Sequence, residues 1–482
     1  MNYKLILNIV GIVLIILSFF ILLPIGVSII YGQQDIIPLT LSFLITLSSG
    51  TVAYLLTQKH RKEELRHRDA FAVVTISWLA AAFFGALPFI ISGSISSFTD
   101  AYFESMAGFT TTGASILTNV EVIPNGTLFW RSLMQWMGGM GIILFVLAIL
   151  PLLGTGGMQL FKAEVPEISV DKLRPRIIDT AKSLWFIYTG FTLIMTAFYM
   201  AGGMNLFDAV CHGFTTISTG GFSTKNASIA HFKSPLIEYA ASIFMFLSGV
   251  NFALYFYLLR GNIAKLYKSS EFRFYLTIVS IVIIIMTIAN IHSTYDSFSD
   301  SFRYSVFQVI SVITTTGFAS ADYALWSSFA QIVILIIMFF GGMIGSTSGG
   351  IKQVRMLLTL KHGYREMYQL IHPRAVTSLK LDEKFLTKEI LGSIWGFVFL
   401  FIFIFSIASA AMAATGVDLI TSISTVVSAM SNVGPALGDA GPASNYSSIS
   451  LAGKWILIFC MLAGRLEIYT VLILFLPQFW KK

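Results

Sequence analysis

The chain has 482 residues, 56% of them hydrophobic and 11% charged, with a mean hydropathy of +0.79. A soluble globule carries about 25% charged residues, so this composition excludes one and makes the membrane span the unit to count. The net charge of +7 is gathered between apolar runs, at Lys59, Arg61, Lys62, Arg66 and Arg68 and again at Lys352, Arg355, Lys361, Arg365 and Arg374. Such juxtamembrane clusters fit anionic headgroups and favour a lipid surface over nucleic acid.

A hydrocarbon core of ~30 Å takes ~20 apolar residues as a helix. In chain order the candidates are Leu5–Tyr31, Ile37–Thr57, Phe71–Ile91, Leu128–Leu152, Ser183–Ala201, Ile237–Leu259, Phe274–Ile291, Leu325–Gly345, Ile390–Ala414 and Ala452–Leu476. The first run lacks a small-residue cleavage motif and is too long for a signal-peptide core, so it reads as an anchor. An even number of spans puts both termini on one side. Asp100, Glu104 and Glu121 fall between the third and fourth spans, whereas Lys162, Lys172, Arg174 and Arg176 fall on the opposite face. Both termini are therefore expected in the cytoplasm. The outward segments carry Asp100, Asp208, Asp296, Asp300, Asp418 and Asp439, which should concentrate cations.

Those outward segments repeat. DAYFESMAGFTTTGAS begins at Asp100, and DAVCHGFTTISTGGFS begins at Asp208, with the same distance from Asp to Gly113 and to Gly221. SVFQVISVITTTGFAS contains Gly317, and the more divergent STVVSAMSNVGPALG contains Gly434. One supersecondary unit used four times is implied: span, short half-apolar helix, glycine-containing loop, span. Irregular backbone at membrane depth survives only when buried in protein or lining water. Glycine allows dihedrals that aim successive carbonyls at one point, and threonine adds a hydroxyl acceptor. Four such loops about one axis can replace an ion's hydration shell, and neutral acceptors suit a monovalent cation. Any one Thr-Gly-x loop is ordinary turn chemistry; four in register on one side are not.

These loops resemble those of the Trk/Ktr/HKT superfamily of potassium transporters, as do QWMGGMG at Gln135–Gly141, SGVNF at Ser248–Phe252, GGMIGSTSGGIK at Gly341–Lys352 and AGRLE at Ala463–Glu467. The likeness spans essentially the whole chain, and the extra helix pair before the first repeat resembles the bacterial TrkH branch more than the shorter KtrB branch. It implies an all-α polytopic membrane protein. Four span–pore-helix–filter-loop–span repeats would surround a pseudo-fourfold pore, preceded by an extra N-terminal helix pair. Potassium would be the transported ion, with no cofactor bound to the chain. The implied filter residues are Thr111, Thr112 and Gly113, then Thr219, Gly220 and Gly221, then Thr315, Thr316 and Gly317, and last Asn432, Val433 and Gly434. In plant relatives a serine in the first loop accompanies sodium transport, so glycine at all four positions points to potassium. Val433 and Pro435 make the fourth loop the most divergent.

Gly345-Ser346-Thr347-Ser348-Gly349-Gly350-Ile351-Lys352 looks like a phosphate-binding loop. That motif needs Lys directly after the glycine and a preceding strand, so nucleotide binding is excluded. The resemblance implies a flexible intramembrane gating loop below the filter. Arg465 lies within the last apolar run, where a charge costs ~2.5–3.5 kcal/mol on insertion scales. It is read as part of the gate, the alternative being a structural ion pair, for which Glu467 is the nearest acid in the chain although two residues along a helix do not face each other. Arg131, Lys454 and Lys233 are expected to snorkel from span ends.

Two other transport readings compete, an ion-coupled symporter with alternating access and the conducting subunit of a pump. The carrier would be expected to show broken helices in two halves and intramembrane carboxylates, and four repeats with few such carboxylates argue against it. An enzyme would need a zinc motif or an intramembrane acid–base pair, and neither is seen. Two lone cysteines and seven scattered histidines suggest no disulfide and no metal site. The resemblance further implies a bacterial cytoplasmic-membrane homodimer with a cytosolic nucleotide-binding ring (TrkA-like) docked on the inner face. The basic segments Lys162–Lys182 and Lys352–Arg374 are candidate docking surfaces. Expected boundaries are 1–69 for the helix pair and basic loop, then repeats at 70–165, 166–268, 269–380 and 381–482.

Overall fold

The computed structural model describes residues 1–60, 63, 65–141, 177–375, 378–382 and 384–480. The expected end of the fourth span (142–152), the 165/166 repeat boundary and most of the basic segment beginning at Lys162 lie outside these residues. So do Arg61 and Lys62.

The N-terminal pair is a hairpin of α1 (Tyr3–Tyr31) and α2 (Ile36–Thr57). Its helices touch at Gly11 and Gly50, where a Cβ on either would lie 2.9 Å from the other's carbonyl oxygen. Small residues allow this approach, which gains dispersion contacts that lipid cannot outcompete. Asn8 donates across the pair to Thr57 Oγ1 at 3.0 Å. Asp35, in the turn, accepts from Ser28 and from the Thr127 amide at 2.8 Å, so the hairpin caps a helix of the first repeat.

After α3 (His67–Gly85) come α4 (Phe98–Phe109) and α5 (Asn125–Gly139). The same sequence of long helix, short helix, loop and outer helix then recurs. The second set is α6 (Ile177–Ala201), α7 (Leu206–Ile217), and α8 (Pro235–Ser248) with α9 (Phe252–Leu259). The third is α10 (Ser270–Asn290), α11 (Phe298–Ile313) and α12 (Ser328–Ile337), followed by α13 (Gln353–Ile371). The last is α14 (Lys388–Ala414), α15 (Leu419–Ser431) and α16 (Leu451–Arg465). Apart from a two-residue hairpin pairing Lys380–Leu381 with Lys384–Phe385 and isolated bridges at Ile291–Tyr295 and Phe340–Ile351, the regular structure of the described residues is helical, as expected.

The expectation of unbroken second spans is corrected. Six described helices are long and apolar enough to cross a membrane unbroken. The run expected at Ile237–Leu259 bends by 97° between α8 and α9, and the last run bends by 114° after Arg465. The run at Leu325–Gly345 contains only the 10-residue α12. Hydropathy averages over each break because the few intervening residues, Gly249-Val250-Asn251 in one case and Leu466-Glu467-Ile468 in the other, are outweighed by the apolar residues on both sides. Glycine permits the inward packing at the ends of α5 and α16: a Cβ on Gly138 would overlap the Phe109 carbonyl, and one on Gly464 the Met430 carbonyl.

Each short inner helix is capped by its own sequence. Ser97, Asn205, Ser297 and Asp418 accept the amides of Asp100, Asp208, Asp300 and Thr421, satisfying donors otherwise left orphaned. These acids are less free to attract cations than their positions in the sequence imply. Asp208 is buried and bonded to Thr224 at 2.6 Å, and Asp100 pairs with Lys454 at 2.6 Å. Asp296 and Asp439 do face solvent.

Candidate functional site

The inner helices end together, and their loops share one backbone pattern. Thr111, Thr219, Thr315 and Asn432 are left-handed, with φ of 53°, 52°, 57° and 58°. Two residues later Gly113, Gly221, Gly317 and Gly434 are left-handed again, at 79°, 76°, 79° and 104°. Only glycine holds such values without a Cβ penalty. Between them, the amides of Thr112, Gly220, Thr316 and Val433 turn back to the carbonyls of Ala107, Thr215, Ser311 and Ser428, at 2.8–2.9 Å. With the amides spent on the helices, the carbonyls are left for the space between the loops.

The loops close into a ring. A Cβ on Gly113 would overlap the Gly220 carbonyl of the second loop, and one on Gly221 the Thr316 carbonyl of the third. One on Gly317 would overlap the Val433 carbonyl of the fourth, and one on Gly434 would lie 2.5 Å from the Thr112 carbonyl of the first. Each glycine thus abuts the next loop, and the fourth returns to the first. Thr111, Thr219, Thr315 and Asn432 are buried, yet among the described residues their carbonyls accept no hydrogen bond. Buried acceptors without donors mark a place for a ligand. The negative ends of four helix dipoles point at the same place and favour a cation there. All four glycines line the floor of an open cavity of about 140 Å³.

Buried polar side chains brace this ring, and apart from Asn432 the sequence reading gave them no such role. Glu104 is fully buried, accepts the Ile116 amide at 2.9 Å and pairs with Arg131 Nε at 2.6 Å. Arg131 also donates to the Ser223 carbonyl at 2.9 Å and lies 3.5 Å over the Phe222 ring. The expectation that Arg131 and Lys454 snorkel is overturned: both are buried in ion pairs between elements of the ring. Lys233 is exposed. Asn432 Nδ2 reaches Thr112 Oγ1 at 2.9 Å and stitches the fourth loop to the first. Tyr446 donates to the Gly434 carbonyl at 2.6 Å.

Gly345–Gly350 lies directly beneath the ring. The Gly349 amide donates to Thr315 Oγ1 at 2.7 Å, and Thr347 Oγ1 lies 3.3 Å from Thr219 Oγ1. A Cβ on Gly349 would overlap the Ser431 carbonyl. The loop is closed at its neck by a bridge between Phe340 and Ile351, with Gly341 donating to the Ile351 carbonyl at 2.9 Å. Ser248 and Gly249, at the break after α8, receive the amides of Thr347 and Met343. Asn251 caps α9, and the Phe252 amide bonds the Gly345 carbonyl at 3.0 Å. The SGVNF and GGMIGSTSGGIK motifs are therefore the two sides of one contact.

Arg465 stands at the end of α16 rather than in the middle of a straight span. Its guanidinium donates to the carbonyls of Thr347 at 2.8 Å and Gly138 at 2.6 Å, so it ties the loop to the first repeat. Glu467, the acid nearest to Arg465 in the chain, is paired instead with Arg355. Glu271 Oε1 accepts the Ile344 amide at 2.8 Å and the Val354 amide at 3.2 Å, one on each side of the loop. Lys352 Nζ bonds the Ser348 carbonyl within the loop. Lys352 and Arg355 are buried, which removes them from the proposed docking surface, while Arg374 stays exposed. Only the spacing of Glu271 before a long apolar run hinted at it, and a glutamate there also reads as a helix N-terminal residue.

The profile of the TrkH cation transport proteins matches residues 38–482. This chain belongs to that family. It is 41% identical over the full length of both chains to the Trk system potassium uptake protein TrkH of Salmonella typhimurium. It is 36% identical to the Trk system potassium uptake protein TrkG of Escherichia coli, covering 95% of this chain and 94% of that one. The crystal structure of the potassium transporter TrkH from Vibrio parahaemolyticus superposes with a TM-score of 0.90 at 36% identity, covering both chains completely. The TrkH family membership makes the chain a multi-pass membrane transport protein, with the repeat architecture expected from the sequence.

Proposed function

We propose that the chain takes up potassium through the ring of four loops, which acts as a selectivity filter. The closed glycine-to-carbonyl contact around the ring carries this reading, because it makes each loop's geometry depend on its neighbour. Carbonyls from Thr111, Thr112, Gly113 and their counterparts replace the hydration shell, and the four helix dipoles lower the cost of holding a bare cation. Uptake follows the membrane potential, worth about 2.3 kcal/mol per charge per 100 mV. The names of the TrkH relatives support potassium as the ion.

Gly345–Gly350 and Arg465 form the gate. The loop fills the path beneath the filter, and the guanidinium adds a permanent charge. At an effective dielectric of ~20, two like charges ~6 Å apart repel by roughly 3 kcal/mol, or about a hundredfold in occupancy. Opening must withdraw both, and a cytosolic nucleotide-binding partner (TrkA-like) acting on the inner face, on a homodimer with both termini cytoplasmic, would supply that work. On this reading the four repeats would run over 70–165, 166–268, 269–380 and 381–482. The test is Gly113→Ser in proteoliposomes, with potassium and sodium flux compared. The potassium-to-sodium ratio should fall about tenfold, as for a loss of about 1.4 kcal/mol of discrimination. An unchanged ratio would remove Gly113 from the filter.

A further inference from the structure

Gly220 differs from its counterparts in the ring. Thr112, Thr316 and Val433 occupy the equivalent position in the other loops. The Thr112 hydroxyl is paired with Thr110 and the Thr316 hydroxyl with Thr314, each at 2.8 Å, which staples those loops internally. Gly220 has no side chain to do this. Its backbone does not need glycine either, since it lies outside the left-handed region that its neighbours occupy. The reason for glycine is steric: a Cβ there would overlap the side-chain amide of Gln135.

Gln135 is fully buried on α5, in the first repeat. Its Nε2 donates to the Gly220 carbonyl at 2.6 Å, and its Oε1 accepts the Phe222 amide at 3.0 Å. The orientation of the amide is fixed by chemistry, because the Phe222 N–H can only donate and so must face the oxygen. The pair of bonds brackets Gly221, the glycine of the second loop. We infer that Gln135 is a specificity-determining positioning residue, supplying from the first repeat the staple that the second loop lacks. The carbonyl of Gly220 keeps a second lone pair for an ion, so the donor holds it in place without removing it from the ring. The second loop is the softest of the four, with two adjacent glycines, and here a lost staple would most widen the ring.

This inference rests on the filter reading, and the test separates the two. Gln135→Met keeps the volume and removes both hydrogen bonds. In proteoliposomes it should lower the potassium-to-sodium flux ratio about tenfold, the scale of one or two lost buried hydrogen bonds. Gly220→Thr alone should also lower it, because the new side chain meets the Gln135 amide. Gln135→Ala/Gly220→Thr should restore the ratio to within about twofold of the parent, since the vacated space takes the threonine and Ser218 stands where Thr110 and Thr314 stand in the other loops; such non-additivity is expected of residues in contact. Relief of the clash alone would return the double variant only to the lowered ratio of a chain without the Gln135 staple, so recovery to the parent's ratio reports the threonine staple. If Gln135→Met folds and keeps its ratio, or if the double variant is no better than Gly220→Thr, the inference is overturned. A double variant that cannot fold also overturns it, because a refilled site should be held as the first and third loops hold theirs. Gly113→Ser in the same liposomes tells the failures apart: a lowered ratio there with an unchanged one in Gln135→Met sinks only the role of Gln135.

Discussion

The ring and the loop beneath it are built on different principles. The ring is one motif used four times, so each loop finds in its neighbour a surface like its own, and neutral backbone groups do the work. Among the described residues the loop exists once, in the third repeat, and charged side chains hold it: Glu271 of the same repeat at its two ends, Arg465 of the fourth repeat at its middle. Repetition suits a structure that must stay the same around a small ion. A single copy suits one that must move, because leaving costs a few hydrogen bonds and disturbs no symmetry. The distinction also separates two kinds of buried arginine. Arg131 braces the ring against a fully buried Glu104, whereas Arg355 meets a Glu467 that is 20% exposed.

The largest effect that would sharpen this contrast is on stability. Arg131→Met leaves the Glu104 carboxylate buried without its partner, which costs about 3–5 kcal/mol. Folded protein in detergent should lose most of its yield or melt far lower, while Arg355→Met, whose partner keeps contact with water, should lose much less. Equal losses would break the comparison. Next comes the proposed gate. Arg465→Ala should raise potassium flux measured without any partner protein by up to about a hundredfold, on the electrostatic scale given above. Arg465→Lys should retain most of the block. Folded Arg465→Ala with unchanged or lower flux would make the arginine a structural tie only. Removing 346–349 should also raise flux, by about tenfold or more, since the occluding segment worth at least ~1.4 kcal/mol goes with it. A folded deletion conducting at the parent level would make the loop a connector. The smallest effect is at Glu271. Gln keeps an acceptor oxygen for the two amides but gives up its charge, so Glu271→Gln should raise partner-free flux only about two- to fivefold, the scale of weakening a charge-assisted hydrogen bond. Glu271→Leu, with no acceptor, should raise it further. The reverse order would show that Glu271 acts through charge at a distance and not as a clamp.

The membrane class, the fourfold repeat and the positions of the glycines were legible in the sequence, because each depends on local rules. Apolar length decides whether a segment can cross the bilayer, and a left-handed backbone asks for glycine wherever the chain happens to be. The cap residues Ser97, Asn205, Ser297 and Asp418 belong to the same class, since a helix start is written within four residues. The breaks after Ser248 and Arg465 were illegible because hydropathy sums over a window, and three residues within a long apolar run do not interrupt it. Snorkelling was assigned to Arg131 and Lys454 because their nearness to span ends is a one-dimensional fact. Their partners, Glu104 and Asp100, are distant in sequence and are met only through the fold. Gln135 is the same case from the other side: a glutamine in a helix says nothing until the second loop is folded against it. The sequence alone thus determined the membrane class, which segments repeat and where the four loops need a left-handed glycine. Tertiary structure decided which buried polar groups meet, because a hydrogen bond at membrane depth is chosen by what the fold brings within 3 Å and not by spacing along the chain.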